Sequence, residues 1–265
     1  MDPVLRVALG FGLFAATHIG LASPRVRGAL VARLGRWGFT GLFMLVAWLT
    51  FGFAIAGYAA HSAEGPAGLA LGAIPSARLA LIAAIVLGVM LMTGAFAHYG
   101  RSPFALGGEK VREPRGLERV TRHPFFVGVV LLGAAHALLA PRLVGAIAMG
   151  SLALIAGLGA WFQDRKLLEL RGEDYRDYLA VTSSIPFAAI LAGRQRLVWG
   201  ELPYAALLLG LALAWGLRAV HAYLFDHGGA YLIAVMVLGP LLILLSDLRR
   251  DQRASRRAAP RAAAV

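Results

Sequence analysis

The chain has no cysteine. That absence excludes thiolate metal ligation, iron–sulfur clusters, covalent c-type haem attachment and disulfides together. Acidic residues are scarce, 14 against 26 lysines and arginines in 265 residues. No paired catalytic carboxylates, phosphate-cradling glycine loop or nucleophile elbow can be found. Charge of either sign is sparse: 15% of residues are charged and 59% hydrophobic, with a mean hydropathy of +0.70. A soluble domain of this length could not cover so much apolar surface. Several apolar runs approach the roughly 20 residues that cross a bilayer. The fold class that follows is an all-α, polytopic membrane helix bundle.

Seven spans are expected, at about 4–22, 38–59, 77–98, 124–140, 143–162, 203–222 and 230–247. The segments between them sort by charge. All but four of the 26 basic residues lie in 23–37, 99–123, 163–202 and the tail after 248. The positive-inside rule then puts the N-terminus outside and the C-terminus in the cytoplasm, which only an odd number of spans allows. A bacterial inner (plasma) membrane suits this pattern, and nothing at the N-terminus reads as a cleaved signal. The net charge of +12 is therefore a topology signal and a contact with anionic membrane lipid, and nucleic acid is excluded as a partner. Residues 1–248 form the transmembrane domain, and 249–265 a basic, disordered cytoplasmic tail.

Two segments outside the spans have a character of their own. The Gly- and Pro-rich stretch from Tyr99 to Arg122 suits an irregular lid, with Gly107-Gly108 as its flexible point. Farther on, Tyr175 and Tyr178 stand three apart, on one face of a helix that suits the membrane interface.

The histidines carry the functional signal. In Thr121-Arg122-His123-Pro124, Pro124 suits the first turn of a helix, so His123 falls at its cap with the imidazole available to a site. It can be a metal ligand, an acid–base group, or simply a residue at the interface. His18 lies four residues before the end of the first span, about 6 Å below the same surface. His98 ends the third span on that side, and His136 is about 20 Å deeper than His123. Ionisable groups inside a span are functional candidates by default. Two imidazoles in an apolar bundle suit a b-type haem, with His18 and His123 as both metal ligands and catalytic residues. Its propionates could reach Arg122, Arg119, Arg25 or Arg165. An apolar substrate would enter such a site from the bilayer.

Three segments resemble the NnrU family, which includes the plant and algal 15-cis-zeta-carotene isomerases. They are His18-Ile19-Gly20-Leu21-Ala22-Ser23 with Arg25, then Thr121-Arg122-His123-Pro124 with Gly128 and His136, and then a dense stretch. That stretch holds Asp164-Arg165-Lys166-Leu167, Arg171-Gly172-Glu173-Asp174 and Thr182-Ser183-Ser184-Ile185-Pro186-Phe187. The resemblance implies haem b held by His18 and His123, and a redox-dependent cis–trans isomerisation of a polyene. The missing cysteine departs from any scheme in which a thiolate replaces one histidine. Bacterial members imply a role in nitrite and nitric oxide metabolism, and a non-enzymatic partner of a respiratory or denitrification complex is a further alternative. A second resemblance is to isoprenylcysteine and phospholipid methyltransferases. It would place His123, Pro124, Asp164, Tyr175 and Tyr178 around S-adenosylmethionine.

Overall fold

The structure, a computed structural model, describes residues 2–98, 111–235 and 237–239, with isolated positions as far as 249. Residues 99–110 of the expected lid, and the tail from 250, lie outside the described residues.

Proline punctuates the chain. Helix α1 (Pro3–Ala22) starts on Pro3, with the Asp2 carboxylate accepting the Leu5 N–H at 3.0 Å. It ends because Pro24 pushes Ser23 out of the helical region, to ψ 140. Pro24 then opens α2 (Pro24–His61), Pro75 opens α3 (Pro75–His98), and Pro124 opens α5 (Pro124–Leu139) after the short α4 (Leu117–Val120). Helix α6 (Leu143–Val181), the short α7 (Ala188–Leu191) and α8 (Tyr204–Ala219) complete the bundle.

Two glycines divide long helices. Gly35 (φ 70) breaks α2, separating an arginine-bearing segment at 24–34 from the apolar run of the second expected span. Gly172 (φ 56) breaks α6, so that the helix bearing Tyr175 and Tyr178 leaves at an angle from the apolar part. Both φ values lie in the left-handed region, which costs glycine little and other residues more.

Among the described residues, four helices are long and apolar enough to cross a membrane: α1, α2, α3 and α6. Helices α5 and α8 and the stretch Asp226–Gly239 are apolar but shorter. The helices pack in the order α2, α1, α6, α5, α3, α8. The α1/α2/α6 seam buries Val7, Phe11, Phe14, Phe51, Ala54, Ile55, Val144 and Ala148. Leu9, Leu49, Phe53 and Leu154 instead face outward, each more than half exposed. Lipid would solvate these side chains as well as the core does, so close van der Waals fit, rather than apolar burial, selects the helix contacts. The tightest fit is between α3 and α5, where a Cβ on Gly88 would lie 2.6 Å from the Gly128 carbonyl oxygen.

The connections gather at two ends. At one, Gly68 donates to Pro141 and Leu143 to Pro66 through their backbones. At the other, Arg122 donates to the Ser183 carbonyl at 2.9 Å and Phe187 to the Val120 carbonyl at 2.8 Å. The arginine-rich segments 24–36, 111–122 and 163–196 all belong to this second end.

Candidate functional site

The second end is organised by one carboxylate. Asp164 stands just beyond the apolar part of α6, with 14% of its side chain exposed. Arg122 donates to it from Nε at 3.0 Å and from Nη2 at 2.7 Å, both to Oδ2. His123 Nε2 lies 2.8 Å from Oδ1, and the Tyr175 hydroxyl donates to Oδ1 at 2.6 Å. An ionised carboxylate only accepts hydrogen bonds, so the His123 tautomer assigned by this network carries its hydrogen on Nε2. The arginine contact is a two-point, charge-assisted pair, the strong kind.

Local structure explains why these groups meet. His123 caps α5 with φ −120 and makes no side-chain cap bond, which leaves its ring to turn toward α6. Thr121 anchors the approach: its hydroxyl donates to the Ser184 carbonyl at 2.8 Å and accepts the His123 N–H at 3.3 Å. The break at Gly172 brings Tyr175 back over Asp164, eleven residues away. Tyr178 stacks on Tyr175, ring centroids 5.7 Å apart and planes 19° from parallel. Both rings are buried with Leu167. The Tyr178 hydroxyl is enclosed with no hydrogen-bond partner among the described residues.

The remaining expected site residues lie elsewhere. His18 sits between Phe14 and Phe43, at ring-centroid distances of 5.1 and 4.8 Å. It lines a cavity of about 130 Å³ with Met44, Trp48, Phe51 and Ile233, and no residue of the Asp164 cluster lines it. Its Nδ1 is enclosed, with no hydrogen-bond partner among the described residues. Arg119 is bound by Glu201, Nε to Oε2 at 2.8 Å and Nη2 to Oε1 at 3.1 Å, and donates to Gln195 Oε1 at 2.9 Å. Arg165 lies over the Trp161 ring at 4.8 Å. His136 donates from Nδ1 to the Leu132 carbonyl at 2.8 Å and stacks on His221. Thus Arg122, His123, Asp164, Tyr175 and Tyr178 come together, while His18, Arg119 and Arg165 do not join them. Arg122 and Arg119, expected near haem propionates, are each engaged by a carboxylate of the chain itself.

Two acidic residues escaped the sequence reading. Glu201 also accepts the Gly116 N–H at 3.0 Å, and the Arg119 hydrogen bonds, with that one, pull its carboxyl down to about 2. Glu118, 4% exposed, pairs with Arg112 at 2.8 Å and accepts the Arg115 N–H at 3.2 Å. The signal available was scarcity: in a chain so poor in carboxylates, one set among arginines is a candidate anchor. No group of three or more potential metal ligands of the His, Cys, Asp and Glu types occurs among the described residues.

Apolar helices of membrane-spanning length, joined at one end by a buried Arg–Asp–His–Tyr cluster, define a class: an all-helical membrane protein with a polar knot at its basic face. The sequence model of the NnrU protein family matches residues 6–227, and the chain belongs to that family. It is 32% identical over 222 residues to the chloroplastic 15-cis-zeta-carotene isomerase of Arabidopsis thaliana, covering 78% of this chain and 57% of the relative. The Zea mays protein of the same name is 38% identical over 117 residues, 41% of this chain and 32% of the relative. The chain thus spans just over half the length of the Arabidopsis relative. No solved structure matches it.

Proposed function

We propose that the protein is a membrane-embedded isomerase that turns a cis double bond of an apolar polyene to trans, the substrate entering from the bilayer. The likeness over 222 residues to a protein named for zeta-carotene isomerisation is the observation that supports this most directly. The matched family region, 6–227, takes in both the His18 cavity and the Asp164 cluster. We read α5, α8 and Asp226–Gly239 as further spans, giving seven in all. The basic end then faces the cytoplasm of a bacterial cell, as its arginines favour.

Haem b is the cofactor that the family resemblance implies, and the two candidate histidines differ in how they suit it. His18 fits an axial ligand: its ring lies in an apolar, aromatic slot, and its Nδ1 has no competing partner among the described residues. His123 does not fit the second axial position, because Nε2 is engaged by Asp164 and the side chain is 1% exposed. Bound at His18, haem b would supply one-electron redox chemistry beside an apolar substrate. The chain's own contribution is to exclude water and align a long hydrocarbon between aromatic faces. The Asp164 cluster holds α5 against the two parts of α6, and so sets the end of the bundle to which α1 also packs.

The test is reconstitution of the purified chain in liposomes with 15-cis-zeta-carotene, in the dark, with and without reductant, followed by chromatography of the isomers. Conversion to the trans isomer above a protein-free control is expected. No conversion, under conditions where the Arabidopsis enzyme converts its substrate, would overturn the reading.

A further inference from the structure

Three basic side chains converge where the first part of α2 meets the polar end of α6. Arg27 belongs to the segment 24–34, set off by Pro24 at one end and the Gly35 break at the other. Lys166 and Arg171 lie on α6 between its apolar part and the Gly172 break. All three are half-buried, and the Arg27 and Arg171 guanidinium charges both bear on the Lys166 ammonium. Arg27 is drawn back toward the bundle by the Phe39 ring, 5.5 Å from its guanidinium carbon.

The chain supplies no evident counter-charge. Lys166 makes no ion pair among the described residues. Asp164, two residues before it, is saturated by Arg122, His123 and Tyr175. Glu173 is turned to Arg176. Like charges held together in a partly desolvated place raise the energy of the fold unless an anion joins them.

The surroundings identify the anion's source. Trp161 is 51% exposed, with Arg165 over its ring, an amphipathic pair suited to headgroup depth. Lys166 follows directly. Val26 and Leu34, flanking Arg27 on its segment, are 42% and 48% exposed, an apolar margin that suits acyl chains better than water. A soluble anion would gain nothing from that margin.

We propose that Arg27, Lys166 and Arg171 form a binding site for the phosphate of an anionic membrane lipid, which neutralises the cluster and ties the α2 segment to α6. The site is separate from the His18 cavity and does not depend on the isomerase reading.

The experiment is thermal unfolding of the purified full chain in neutral detergent, titrated with phosphatidylglycerol, phosphatidylcholine or inorganic phosphate. Phosphatidylglycerol should raise the midpoint saturably, with phosphatidylcholine and inorganic phosphate ineffective at equal concentration. Lys166→Gln and Arg27→Gln should each weaken the apparent affinity about fivefold, the scale of one cation at an anionic surface. Lys166→Arg should retain it. Arg33→Gln removes the same charge from the same segment at an exposed position and should leave the response intact. An equal shift with phosphatidylcholine would overturn the proposal, as would an equal loss in Arg33→Gln, which would mark diffuse attraction. A shift with inorganic phosphate alone would overturn the lipid as occupant. Should Lys166→Gln fail to fold, Arg27→Gln and Lys166→Arg still decide the outcome.

Discussion

His123 Nε2 lies 2.8 Å from Asp164 Oδ1, across 41 residues of sequence and between two helices. The same oxygen accepts the Tyr175 hydroxyl, and its twin accepts Arg122. One carboxylate therefore joins the start of α5 to both sides of the break in α6. Its loss strands a buried guanidinium and two further donors at once.

The first prediction follows from that convergence. Asp164→Ala should cost about 3–5 kcal/mol, the usual cost of leaving one member of a buried ion pair alone. Tyr175→Phe removes one hydrogen bond to a charged group and should cost about 1.5–3 kcal/mol. Denaturant unfolding in mixed micelles would rank the two. Equal losses would mean that the carboxylate is not the hub of the cluster.

A second prediction separates the two histidines. If the protein carries haem b at His18, His18→Ala should abolish the Soret band while leaving the unfolding midpoint nearly unchanged, because the imidazole nitrogen makes no bond that folding needs. His123→Asn, which retains a donor toward Asp164, should keep the band. A colourless wild-type protein from haem-replete cells, taking up no added haemin, would refute haem binding. Loss of the band in His123→Asn, with the fold intact, would instead restore His123 as a ligand.

A third concerns the α3–α5 contact. A methyl group at Gly128 would meet the Gly88 carbonyl oxygen at 2.5 Å, and that backbone atom cannot swing aside. Gly128→Ala should therefore cost about 1–3 kcal/mol, as overpacking does elsewhere. Gly157→Ala has open space around it and serves as the control. If both variants unfolded alike, the close approach would be refuted.

The fourth is a pH dependence. The Glu201 carboxyl is held at about 2 in the folded chain, against an ordinary value of 4.5. A depressed folded value means that the Arg119–Glu201 link stabilises the fold fully above pH 4.5 and is lost as the pH falls toward 2. Hydrogen exchange at Gly116, whose N–H bonds to Glu201, should therefore accelerate across that window beyond its intrinsic pH trend. Arg119→Ala should already exchange fast at neutral pH and show a flatter excess. An unchanged pH response in that variant would contradict the assignment.

Much of the architecture was legible because the signals are local. Apolar runs marked every helix that the bundle uses, and Pro3, Pro24, Pro75 and Pro124 marked where four of them begin. Pro124 also placed His123 at a cap with its ring available, and the Tyr175–Tyr178 spacing announced a shared face, now seen as a stack. The breaks at Gly35 and Gly172 were harder to see, because helical hydropathy continues across them and only the backbone reveals the positive φ.

By itself, the sequence determined an all-helical membrane protein with its cations at one end, since hydrocarbon solvent acts on each segment separately and leaves its mark in composition. Tertiary structure alone decided which polar groups would meet. Asp164 could have served a cofactor, and Arg122 a propionate. Instead the two close on each other, with His123 and Tyr175, while His18 is left among aromatic rings. The reason is physical: a buried donor needs an acceptor within about 3 Å, and which acceptor lies that near depends on how separate helices cross, which no single stretch of sequence records.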